Sequence, residues 1–210
     1  MSTAEVMVGA TLSLVALGAL YSVFSAQQKA LAAQNIYNQA QSETRAVVDL
    51  MSRELRMAAY DPTGAALTTS TGPACPGVKQ GLDEATSTRI RFRQDLDGDG
   101  TITGARESIT YEVVNDELRR TDGAGTPVAM ASGLPQGGFS FRYFTGGNPP
   151  VELVPGGSPA ALTAAQRDCV ARVQVTLTTS FANPDPNNPR RLTSQVSSEV
   201  AIRNRSLANF

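Results

Sequence analysis

The chain has 210 residues, with 18 basic against 19 acidic side chains and a net charge of −1, so no basic excess marks a nucleic-acid-binding surface. It contains no histidine, which removes Ser-His-Asp and Cys-His catalysis, His-ligated zinc and His-ligated haem. Its length is enough for one compact domain plus an extension.

The first 28 residues hold one charged side chain, Glu5, and residues 6–24 (VMVGATLSLVALGALYSVF) carry neither charge nor proline. A run of that length is about what an α-helix needs to cross the hydrocarbon of a bilayer. A carboxylate at its start is costly in lipid and calls for a cationic partner. The nearest candidate is the α-amino group of Met1, in the same chain or in a neighbouring copy. No basic segment precedes the apolar run and no small-residue cleavage site follows it, unlike a secretory signal of the usual kind. The expected form is therefore a processed one. Gly9 and Gly18 interrupt the run, weakening the helix locally while letting other helices approach closely.

Residues 25–60 continue as good helix formers without glycine or proline. Apolar side chains recur at Ile36, Ala40, Val47, Val48, Met51, Leu55 and Ala59, close to a helical period. The spacing predicts one helix to Tyr60, ended by Asp61-Pro62 and about 85 Å long. Three parts follow: 1–28 as a membrane or filament-core half, 29–60 as an amphipathic half packed on the head, and 61–210 as a β-rich globular head.

Within the head, strands are expected at 88–93, 108–114, 117–121, 139–144, 170–180 and 192–203, where polarity alternates or nearly so. Asn115-Asp116 is a hairpin turn between two of them. Residues 146–159 read as a Gly/Pro-rich surface loop and 162–168 as a helical turn. No crossover-length helix separates most of these runs, so the sheet should be antiparallel. The fold class is α+β.

Cys75 and Cys169 are the only cysteines. In an exported protein they would form one disulfide closing a long loop; in a reducing cytosol both would be buried thiols. The membrane-length segment favours export.

Asp95-Leu-Asp97-Gly-Asp99-Gly100-Thr101 matches the first half of a calcium-binding loop, with carboxylates at alternate positions and a glycine at the sharp turn. Asp95, Asp97, Asp99, the Thr101 carbonyl and Glu107 are the candidate ligands. The twelfth position is Arg106 rather than Glu, and strands flank the loop, so it is not an EF-hand. A solvated acidic turn is the alternative.

A long N-terminal helix with Glu at its fifth position, followed by an antiparallel sheet, resembles the type IV pilin and type II secretion pseudopilin superfamily. The stretches 50–62 (LMSRELRMAAYDP), 95–120 (DLDGDGTITGARESITYEVVNDELRR) and 200–204 (VAIRN) are most similar to PilW-type minor pilins and J-type pseudopilins. The helix start, Met1-Ser2-Thr3-Ala4-Glu5, departs from the family's usual Phe-Thr-Leu-Ile-Glu, and Ser22 stands where proline is common. The resemblance implies a pilin fold and a precursor cleaved just before Met1 by a prepilin peptidase, which also methylates the new amine. It further implies pairing of Glu5 with the Met1 amine of an adjacent subunit, and calcium in the Asp-rich loop. The expected life history runs from inner membrane with a periplasmic head to pilus, cell surface or periplasmic pseudopilus.

The function expected is that of a structural subunit, minor or priming rather than major. A membrane-anchored surface binding module, using the 146–159 loop, is the alternative, but a simple anchor has no use for Glu5. An enzyme is not expected, since the acidic residues share one loop with no second group at defined spacing. Asn204-Arg205-Ser206 matches the glycosylation acceptor pattern, a short match that coincidence often produces.

Overall fold

The computed structural model describes residues 2–183, 185 and 188–204. Helix α1 (Thr3–Met57) runs unbroken for 55 residues, about 82 Å at 1.5 Å per residue. Its first half touches no other part of the chain closely enough to bury a side chain. Its second half buries Ala40, Thr44, Val47, Val48, Met51, Ser52 and Leu55 in one stripe.

The helix ends at Met57, three residues before the predicted stop at Tyr60, and Pro62 is not the cause. Ala59 adopts a left-handed φ of 63°, and its N–H donates to the Arg93 carbonyl at 2.9 Å. The backbone of Gly81 passes so close that a Cβ there would lie 2.5 Å from the Ala59 Cα. The head thus captures the chain before proline can act.

Two antiparallel sheets form the head. The first is a five-stranded meander of β1 (Leu82–Ala85), β2 (Arg89–Arg93), β3 (Ser108–Val114), β4 (Glu117–Asp122) and β5 (Val128–Ala131). The second comprises β6 (Phe139–Phe144), β7 (Glu152–Leu153), β8 (Arg172–Phe181) and β9 (Leu192–Ala201), in the order β7-β6-β8-β9. A short α2 (Ala164–Asp168), capped by Thr163 and Gln166, precedes β8.

The α+β class and the main strands agree with expectation, with ends displaced by one or two residues. Strands β1, β5 and β7 are additional. β1 reads LDEA, which carries no β signal of its own, and it pairs with β2 through an irregular register. β7 is a two-residue strand inside the 146–159 segment read as loop. Asn115 and Asp116 do form the β3–β4 turn, both with positive φ (52° and 59°), as a right-twisted two-residue hairpin requires.

One core joins both sheets and α1. Phe92, Ile109, Tyr111 and Leu118 from the first sheet meet Phe141, Tyr143, Val173, Val175 and Leu177 from the second, with Met51 and Leu55 between. The sheets connect where the Phe141 N–H donates to the Ser87 carbonyl and the Tyr143 hydroxyl to the Thr86 carbonyl, 2.8 and 2.7 Å. Thr44 and Ser52, the polar members of the helix stripe, bond the hydroxyls of Thr179 and Ser198 at 2.9 and 3.2 Å. These pairs fix the direction of the β8–β9 hairpin: its turn points toward the N-terminal half of α1.

Candidate functional site

Two places on the molecule hold the residues singled out above. The first is the N-terminal half of α1. By length and composition this helix can cross a membrane, and none of its apolar window is buried against the head. Twelve large hydrophobic side chains from Val6 to Leu31 are exposed. The serine and threonine hydroxyls among them are already satisfied by the helix itself. Thr11 donates to the Val8 carbonyl at 2.9 Å, Ser13 to Gly9 at 2.8 Å, Ser22 to Ala19 at 2.7 Å and Ser25 to Ser22 at 2.9 Å. Such back-bonded hydroxyls enter hydrocarbon at little cost.

Glu5 has a partner within its own chain. The Ser2 N–H donates to Glu5 Oε2 at 3.0 Å, while the Ser2 hydroxyl accepts from the Ala4 N–H at 3.3 Å. This is a capping box: two of the helix's orphan N–H groups are satisfied, and a carboxylate sits at the positive end of the helix dipole. Ser2 therefore acts as N-cap. An N–H partner supplies no countercharge, and among the described residues no cation is paired with Glu5. Met1, the other residue expected in an assembly contact, lies outside the described residues.

The second place is the loop between β2 and β3. Asp95 is buried, with both carboxylate oxygens turned inward on the loop. Oδ1 accepts from the Gly98 N–H at 2.7 Å and Oδ2 from the Gly100 N–H at 3.1 Å. Gly98 and Gly100 have φ of 77° and 81°, which lets their N–H groups converge on that one side chain. Asp97 accepts from the Asp99 N–H, and Asp99 accepts from both the N–H and the hydroxyl of Thr101, at 2.7 and 2.8 Å.

Asp95, Asp97 and Asp99 each bring a carboxylate oxygen within 4.8 Å of the other two. Oxygens around one calcium at about 2.4 Å lie no more than about 5 Å apart, so this donor set fits a hard cation. Glu107 is not in the cluster. It is buried, its oxygens accepting from the N–H groups of Leu96 (3.0 Å) and Gly104 (2.5 Å), and it staples the two ends of the loop together.

Comparison with protein-family models finds no match, and comparison with the curated proteins finds none either. Among solved structures, the chain is similar to a type IV-like pilin from Thermus thermophilus. The two are 18% identical, over 78% of this chain and 96% of that one, with a TM-score of 0.39.

Cys75 and Cys169 are bonded to each other, tying the loop before β1 to the end of α2 across a sequence separation of 94. Asn204, the first residue of the acceptor pattern, donates its side-chain amide to the Arg56 carbonyl at 3.1 Å. Arg205 and Ser206 lie outside the described residues.

Two buried ionic groups went unrecognised in the sequence. Glu54, on the head-facing side of α1, accepts from the Tyr111 hydroxyl and from the Arg120 guanidinium at 2.8 Å. Burial and the neighbouring carboxylate push the Tyr111 hydroxyl pKa well up. Tyr111 and Arg120 face each other across β3 and β4, so one carboxylate locks the helix to the first sheet. Glu54 and Arg120 both lie within stretches quoted above; what sequence could not show was their register against each other.

The other group is Asp61, read from sequence as part of a helix stop. Its side chain is fully buried, bonded to Lys79 at 2.8 Å and to the N–H groups of Gly64 and Leu67 at 2.8 and 3.0 Å. Burial alone would raise its pKa, but Lys79 and the two N–H groups outweigh it, lowering the value from 3.8 to about 2.

Proposed function

We propose that this chain is a structural subunit of a type IV pilus or a type II secretion pseudopilus, held in the inner membrane by α1 before assembly. The observation that carries this reading is the split in α1. A helix with an apolar, uncovered first half and a head-packed second half needs two environments in turn, lipid and then the helices of other subunits. The resemblance at residues 50–62 and 95–120 supports the same class.

On this reading the precursor is cut before Met1 by a prepilin peptidase, and the new amine is methylated. Glu5 then pairs with the Met1 amine of an adjacent subunit, adding the countercharge that the capping box lacks. The head faces the periplasm before assembly and lies on a pilus, the cell surface or a periplasmic pseudopilus afterwards. The head's size and long loops favour a minor or priming subunit. Electron microscopy of purified assemblies, with this subunit counted against the others, tests the point. A few copies at the tip support the minor role, and a continuous lattice of this head overturns it.

We further propose calcium at Asp95, Asp97 and Asp99, with the Thr101 carbonyl as a further ligand and Glu107 holding the loop closed around them. Bound calcium would offset the mutual repulsion of three clustered carboxylates. Millimolar calcium is expected to raise the melting temperature of the protein, with reversal by a chelator. No change on adding calcium contradicts the assignment.

A further inference from the structure

The turn between β8 and β9 reaches the level at which α1 would leave a membrane. Residues 6–24 are uncharged and span about 28 Å of helix, close to the hydrocarbon thickness of a bilayer. Lys29 lies five residues further on, about 7 Å beyond that edge and so within the headgroup layer. It is the one charged side chain between Glu5 and Glu43. The hairpin turn meets the helix at this residue: Lys29 Nζ lies 3.3 Å from Asp185 Oδ1. Ser25, Ala26, Lys29 and Ala30 line an open cavity of about 310 Å³ with Asn183, Asp185 and Asn188.

Two arginines follow directly. Arg190 and Arg191 are exposed, and the Arg190 N–H is bonded to the Asn188 side chain at 3.2 Å, which holds it beside the cavity. Arg191 is anchored by the Ser180 hydroxyl and carbonyl at 2.7 and 2.8 Å. Two acids face this group. Asp185 is matched by Lys29, and Asp116 lines a neighbouring cleft with Ser180 and Arg191. The remaining charge at the turn is positive.

We propose that Arg190 and Arg191, beside the Lys29–Asp185 pair, form a foot that rests on anionic phospholipid headgroups while α1 is in the membrane. The proposal rests on the membrane reading of α1. The foot fixes the head's tilt and its distance from the bilayer, and it must leave the lipid when the subunit enters a filament. The attraction is that of a net positive surface for anionic headgroups, and salt releases it by screening.

The test uses the full chain reconstituted in vesicles, labelled with a fluorophore at Ala182→Cys, an exposed position at the end of β8. The vesicles are phosphatidylcholine with or without phosphatidylglycerol, and a quencher is attached to the lipid headgroups. A second label at Val15→Cys, with an acyl-chain quencher, reports insertion of α1. Quenching at 182 is expected with phosphatidylglycerol. It is expected to be lost in phosphatidylcholine alone, in Arg190→Glu, and when salt is raised from about 0.1 to 1 M, which cuts the screening length from about 10 to 3 Å. An unchanged melting temperature for Arg190→Glu shows that the loss is not unfolding.

Quenching at 15 with none at 182, or with equal quenching at 182 in both lipids, overturns the foot alone. Quenching at 182 that tracks protein density instead of lipid charge assigns the surface to a second copy and also overturns it. No quenching at 15 overturns the membrane reading and the foot together.

Discussion

Residues 3–30 and 40–55 belong to one continuous helix, yet the first stretch buries nothing and the second supplies the middle of the core. Leu14 is 68% exposed where Met51 and Leu55 are 0%. The backbone is alike in both halves; what differs is the pattern. An apolar stripe backed by Glu, Arg and Asp packs on one partner and stops there. A helix apolar all round cannot be covered by one head, because a single sheet shields a single face. Burying the twelve exposed hydrophobic side chains between Val6 and Leu31 would release on the order of 20 kcal/mol. The first half is therefore the part of the molecule that folding leaves unfinished.

That contrast can be broken at several points. The largest effect is expected from the disulfide, which belongs wholly to the head. Replacing Cys75 and Cys169 by serine should lower head stability by about 4 to 5 kcal/mol, since the bond closes a loop of nearly a hundred residues. Chemical denaturation of the head under non-reducing conditions measures it.

Next comes a matched pair on α1. Met51→Ala removes a fully buried side chain and should cost about 2 to 5 kcal/mol. Leu14→Ala removes an exposed one and should leave the head's denaturation midpoint unchanged while weakening membrane retention. Equal effects of the two on head stability would erase the distinction between the halves.

The smallest expected effect comes from acid. Asp61 has a pKa near 2 in the folded state against 3.8 when free, so its folded form favours the ionised carboxylate. Its contribution, roughly 2 kcal/mol, is fully present above about pH 4 and is lost as pH falls through 2. Asp61→Asn should flatten the stability profile across that window and leave it parallel to the parent at neutral pH. A profile unchanged by the substitution would mean that Asp61 does not hold the post-helix loop.

How much of this could be read from the chain depended on whether the signal was local. The apolar run, the stripe through Val47, Met51 and Leu55, the Asn115-Asp116 turn and the Asp95–Asp99 spacing are all local patterns, and each lies where it was expected. The helix end at Met57 was not readable, because it is set by Gly81 and Arg93, which are distant in sequence. β1 was missed for the same reason: LDEA is a strand only because β2 lies beside it. Glu107 carries the right chemistry for a metal ligand, but register turns it toward Leu96 and Gly104. Glu5 stands between these cases. Its position was legible, while its capping partner Ser2 emerges only once the helix start is placed.

On the proposed function, Glu5 serves a neighbouring subunit as well as its own helix. The direct measurement is filament or pseudopilus yield from Glu5→Ala expressed in place of the parent chain, with the melting temperature of the head recorded alongside. Assembly is expected to be blocked or disordered while the head melts as before, because Glu5 is exposed and far from the core. Normal yield with an unchanged head would contradict that role and reduce Glu5 to a helix cap.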